Sequence, residues 1–159
     1  MICKKILTPV VLASLLGIFN CTGDPPEATG TFNVVFSGNI NDEFQGNAFF
    51  ELVPNNTIGV IYITLLESET VYFRLTFYNP DPAQIFLEPG SYTVVGQLGQ
   101  NVPGEVLVEY INEQGTFSAA SGEVRVGIVK NNQIKGEVVN ALFNLLNTSC
   151  NGNFDAIPD

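Results

Sequence analysis

Past its first twenty residues the chain never holds a helical period for three turns. It breaks instead into short segments of alternating apolar and polar residues, punctuated by Asn, Gly and Pro. Residues 70–78 show the pattern best. Val71, Phe73, Leu75 and Phe77 share one parity, and Tyr72, Arg74, Thr76 and Tyr78 share the other, so one face is predicted to enter a core and the other to meet water. Similar strands are predicted over 31–37, 47–53, 58–66, 91–98, 105–111, 116–119, 122–130, 133–145 and 151–157. Residues 58–66 are apolar on both parities (Ile58, Val60, Tyr62 against Ile61, Ile63, Leu65), which suits a strand covered on both faces or an oligomer contact. In 133–145 the apolar parity slips from Ile134 and Val138 to Val139, Ala141, Phe143 and Leu145, and a bulge accounts for the slip.

Turn chemistry fixes which strands are neighbours. Pro54-Asn55-Asn56-Thr57 and Lys130-Asn131-Asn132-Gln133 lie between strand patterns, and Asn tolerates the positive φ that tight hairpins need. Residues 79–89 carry Pro80, Pro82 and Pro89 and cannot be a central strand; 99–104 is a second long connection. About nine or ten strands make an all-β domain over 31–159. An antiparallel β-sandwich is the expected architecture, with a lipocalin-like closed barrel as the alternative. The chain's 159 residues are 45% hydrophobic and 14% charged, which excludes disorder and gives enough core for stability without disulfides or metal.

Residues 1–20 form a different kind of segment. Lys4 and Lys5 precede fourteen uncharged residues, 6–19, a secretory signal pattern too short to span a bilayer comfortably. Where the apolar run ends, Ile18-Phe19-Asn20-Cys21 resembles a bacterial lipoprotein signal, with Asn20 standing where a small residue is usual. The resemblance implies cleavage before Cys21 and a diacylglycerol on its thiol, so the membrane is a partner through N-terminal lipid. Thr22 follows the cysteine where, by the same resemblance, Asp would favour retention at the inner membrane; the outer membrane is therefore the expected address. Residues 21–30, with two Pro, two Gly and two acids among them, read as a flexible tether. A looser resemblance covers the C-terminal third. Ser121-Gly122-Glu123-Val124-Arg125-Val126, Ile134-Lys135-Gly136-Glu137-Val138 and Asn151-Gly152-Asn153-Phe154-Asp155-Ala156-Ile157 are similar to the closing meander of small uncharacterised bacterial lipoproteins. That likeness implies fold and location and no activity.

Chemistry is sparse. Sixteen acids stand against six basic residues, a net charge of −10, and losing Lys4 and Lys5 with the signal takes it to −12. Such a surface repels phosphates, which excludes nucleic acid as a partner. The chain has no His, so the commonest general base, triad member and zinc ligand is missing. With Cys3 in the signal and Cys21 lipidated, Cys150 is left alone and no disulfide scaffold is possible. Cys150 reads as a half-buried thiol beside a turn at 147–152. Glu105 and Glu109 share a strand face, but their spacing singles out no acid and base. Asn41-Asp42-Glu43 and the tail acids lack the spacing of a calcium loop. No catalytic residue, metal or cofactor is expected, and the protein reads as a non-catalytic structural or binding module; the alternative is a lipocalin-like carrier of an apolar ligand. The candidate binding face is Tyr72, Arg74, Thr76 and Tyr78, aromatic rings flanking a cation that can stack on a glycan or dock a peptide or protein.

Overall fold

The computed structural model describes residues 29–54, 59–79, 87–97, 102–130 and 132–159. The sequence-predicted signal, Cys21 and most of the tether lie outside these. Ten strands follow in order: β1 (Thr31–Gly38), β2 (Asp42–Pro54), β3 (Gly59–Leu66), β4 (Tyr72–Asn79), β5 (Gly90–Val94), β6 (Glu105–Asn112), β7 (Gly115–Ser118), β8 (Ser121–Lys130), β9 (Gln133–Phe143) and β10 (Thr148–Pro158). A short 3-10 turn, Asn144–Leu146, joins the last two.

The architecture is a closed barrel and not the expected sandwich. Hydrogen bonding runs β4-β3-β2-β1-β10-β9-β8-β5-β6 and returns to β4, nine strands in a circuit, with β7 added on β6. Closure comes from six cross-strand pairs between β4 and β6, Tyr72↔Ile111 through Phe77↔Val106. It is favoured because it satisfies edge backbone groups that two separate sheets would leave open. The sheet is also mixed, where an all-antiparallel one was expected. β5 pairs parallel to β6 at Thr93↔Glu105 and Val94↔Val106, and β10 runs parallel to β2 at Ile157↔Phe49 and Pro158↔Phe50, just past the start of β1. The β5–β6 pairing covers only two residues, so β6 begins level with the end of the five-residue β5.

Alternation sorts the side chains. Phe32, Val34 and Phe36 of β1, Phe73, Leu75 and Phe77 of β4, and Val106, Val108 and Tyr110 of β6 point inward and join one contiguous core. The outer wall carries Glu43, Glu51, Arg74, Arg125 and Glu137, so the barrel is apolar inside and charged outside, the reverse of one that spans a membrane. Among the described residues no helix is long and apolar enough to cross a membrane. Large inward residues face glycines on the next strand. Phe154 pairs with Gly136, where a Cβ would lie 2.5 Å from the Phe154 ring, and small–large complementarity of this kind is how a narrow barrel is filled.

The predicted bulge is present. Between Val138 and Ala141 the β9–β10 register shifts opposite Asn151. Asn140 takes φ 48° there and its backbone N–H donates to the Asn151 Oδ1 at 2.8 Å. The β2–β3 and β8–β9 hairpins pair as expected, although residues 55–58 and 131 at their turns lie outside the described set.

Candidate functional site

The two ends of the barrel differ. At one end, which receives the β1–β2, β3–β4 and β9–β10 turns, Phe36 packs against Phe44, Phe73, Tyr110 and Phe143 at centroid distances of 5.1–5.6 Å. These rings come from five strands and shut that end, hereafter the plug end. The opposite end receives the start of β1, the end of β10 and the longer connections. It is called the mouth end.

At the mouth end a recess of about 360 Å³ opens between β3, β4, β5 and the residues leading into β6, and its lining includes Ile61, Phe77, Leu87 and Tyr92. Ile61 and Phe77 are inward-facing core residues and form its apolar floor. Tyr92, inward on β5, sets its ring edge-on to Phe77 at 5.0 Å and donates its hydroxyl to the Glu88 carbonyl at 2.7 Å. That bond ties the 87–89 segment to the barrel, and Leu87 is buried beside it. Burial, and after it the Glu88 charge, raises the Tyr92 pKa above the ordinary tyrosine value, so the hydroxyl keeps its proton and its bond throughout the neutral range. Deeper in the barrel the space is filled by Ile63, Leu65, Leu75, Val108 and their neighbours. A ligand taken here sits in the mouth. The recess is near the lower limit of small-molecule sites and suits a ring or a short alkyl chain.

The outward face of β4 singled out from sequence is drier than predicted. Tyr72, Arg74 and Tyr78 are half-buried on the outer wall, while Thr76, expected to be wet, is only 5% exposed. Its cross-strand neighbours Tyr62 and Leu107 flank it, and large residues beside a small one cover it. Arg74 lies opposite Glu109 in register, yet it forms none of the three ion pairs found among the described residues. Its guanidinium instead sits 5.7 Å from the Tyr62 centroid and 5.5 Å from that of Tyr72, and donates to the Tyr72 hydroxyl at 3.4 Å. Sequence reasoning did not assign Tyr62 to this group; its place beside Arg74 follows from the β3–β4 register. It also missed the mouth recess, because Leu87 and Tyr92 meet Ile61 and Phe77 only through the pairing of distant strands. The one legible hint was the doubly apolar segment 58–66.

Two further cations, Arg125 and Lys135, are tied to acids. Arg125 bonds Glu123 at 2.9 Å and Glu137 at 3.1 Å, and Lys135 pairs with Asp155. The hydrogen bond from Arg125, and after it that from Ser91, holds the Glu123 carboxyl below its usual range. These exposed pairs shape the wall and add little stability.

Cys150 is not the half-buried thiol beside a turn expected from sequence. It lies inside β10 and is 1% exposed. Burial pushes its pKa from 9 up to about 12, which makes it a poor nucleophile. Below pH 9 the native and unfolded thiols are both protonated and their contribution is constant. As pH rises above 9 the unfolded thiol ionises first and stability is lost until about pH 12. At pH 11 the loss is expected to be about 2–3 kcal/mol, read as a difference in denaturation midpoint between pH 8 and pH 11 that Cys150→Ala removes; an unchanged difference in that variant assigns the loss elsewhere.

Comparison with protein-family models, with curated proteins and with solved structures returns no match.

Proposed function

We propose that this protein is a non-catalytic binding barrel of the cell envelope, held at the outer membrane by lipid on Cys21, that takes a small apolar ligand in its mouth recess. The observation that carries the reading is the asymmetry of a closed barrel. Aromatic rings from five strands shut one end, while at the other Ile61 and Phe77 floor an open recess edged by Leu87 and Tyr92. Closure favours the carrier reading over a structural sandwich, and the packed axis limits the ligand to the mouth. The non-catalytic part is supported by a sequence without His and by a buried thiol that resists ionisation.

The test is displacement of an environment-sensitive naphthalene dye bound to the purified barrel. Leu87→Asp places a charge at the recess and is expected to weaken dye binding at least tenfold, about 1.4 kcal/mol. Leu145→Asp, at the plug end and 86% exposed, is expected to leave it unchanged. Equal binding by both variants and the parent overturns the mouth as the site.

A second reading follows from Arg74 lying against two tyrosine rings and outside any ion pair found among the described residues. Flat aromatic faces beside a hydrogen-bond donor suit a sugar ring. Arg74→Ala separates the readings in the same experiment, since it touches no mouth residue and leaves dye binding intact if the mouth is the site.

A further inference from the structure

We infer that the mouth recess selects a cationic amphiphile, an alkyl- or arylalkylammonium ion whose apolar end lies on Ile61 and Phe77 and whose charge stays at the rim beside Glu88. The inference rests on the proposal that the recess takes an apolar ligand. It goes beyond that proposal by assigning the charge of the ligand's polar end.

Among the described residues that line the recess, Glu88 alone has a side chain that is ionised at neutral pH. All of that lining except Ile61 comes from 77–104, and the chain has no Lys or Arg between Arg74 and Arg125. Both of those cations are committed elsewhere. Arg74 lies against the Tyr62 and Tyr72 rings on the outer wall. Arg125 is opposite Ser91 in register, but its guanidinium bonds the carboxylates of Glu123 and Glu137. An apolar carboxylate seated on the floor therefore finds no cation to pair with, and taking its charge out of water without one is costly.

The hydrogen-bonding groups of the rim favour the same sign. Tyr92 gives its hydroxyl proton to the Glu88 carbonyl, Ser91 gives its own to the Glu123 carboxylate, and Asn79 is engaged within the chain. Pro89 and Pro103 add carbonyls and no N–H. A primary ammonium brings three donors to a rim that is short of them. Glu88 is exposed, so its attraction for a ligand is modest in water. Its charge nonetheless reaches into the recess, since burial first and the Glu88 charge after it raise the Tyr92 pKa. The same end of the barrel carries Glu51, Glu105 and Asp159 beside one lysine, Lys130, at the β8–β9 tip, and a cleft ringed mainly by carboxylates concentrates cations before they bind. The volume of about 360 Å³ accepts a phenyl ring and a short chain, with the ammonium left in water at the edge.

The test is a matched series of phenylbutylammonium, phenylbutanol and phenylbutyrate, each competing near neutral pH against a neutral naphthalene dye bound to the purified barrel. The ammonium is expected to displace the dye at a concentration about tenfold lower than the carboxylate does, with the alcohol between them, and high salt is expected to narrow the gap. Glu88→Gln is expected to weaken the ammonium several-fold and to leave the alcohol unchanged. Glu113→Gln, the same loss of charge at the β6–β7 turn of the plug end, is expected to change neither. Equal competition by ammonium and carboxylate, tighter binding of the carboxylate, failure of all three to displace the dye, or an ammonium preference that survives Glu88→Gln overturns the inference. The mouth reading fails separately, through dye binding that Leu87→Asp leaves intact. A barrel whose dye binding responds to Leu87→Asp but which shows no preference for the ammonium overturns the charge assignment alone.

Discussion

Phe36→Ala is expected to remove about 3–5 kcal/mol of folding stability, a large share of the 5–15 kcal/mol typical of a domain. Phe36 is 1% exposed, and its ring touches rings from β2, β4, β6 and β9. Truncation leaves a cavity that four neighbours cannot fill together, because each is anchored on a different strand of a closed circuit. Edge-on ring pairs, each worth about 0.5–1.5 kcal/mol beyond buried area, are lost as well. Denaturant midpoints with an unchanged slope measure the effect. Phe36→Leu, which keeps most of the volume, should lose far less. A loss below about 1 kcal/mol for the alanine variant would show that the plug end is not a cooperative part of the barrel.

Gly152→Ala should rank next, at about 3 kcal/mol, the upper range for overpacking. Gly152 faces inward on β10 opposite Val34 of β1. A Cβ there would lie 2.3 Å from the Asn33 carbonyl oxygen, 2.6 Å from the Val34 Cα and 2.7 Å from its Cγ2. Two of those atoms are backbone, so relief requires moving β1 away from β10. That seam joins the first strand to the last, and parting it opens the barrel. Gly127→Ala is the control, since a Cβ there meets nothing within 4 Å, and a change within about 0.5 kcal/mol is expected. Hydrogen exchange should localise the damage in the first variant to amides of β1 and β10. Uniformly retained protection would mean that the strands absorb the methyl without parting.

These two positions also mark how far the sequence could be read. Phe36 was placed inward with Phe32 and Val34 by alternation alone, and the structure agrees. The partners of its ring were not legible, because Phe44, Phe73, Tyr110 and Phe143 are separated by many residues and meet through pairing. Gly152 was visible only as a glycine in a repeated pattern; its role appears once Val34 is known to lie across from it. The alternate parity of β4 does face the outer wall, but Thr76, expected to be wet, is covered by neighbours that the strand's own sequence does not contain. The mouth recess depends on such a meeting, since the 87–92 segment reaches Ile61 and Phe77 from another part of the chain.

By itself, the sequence determined the all-β class, the inward parity of most strands, the β2–β3 and β8–β9 hairpins and the bulge in β9, because each depends on residues within about a dozen positions of one another. Only the tertiary structure decided that the sheet closes, that β5 runs parallel to β6, and that one end is sealed while the other is recessed. Alternation with period two tells each strand which side to bury. It is the same for a sandwich and a barrel, so the choice falls to the pairing of β4 with β6 and of β1 with β10, where backbone groups distant in the chain find their hydrogen bonds.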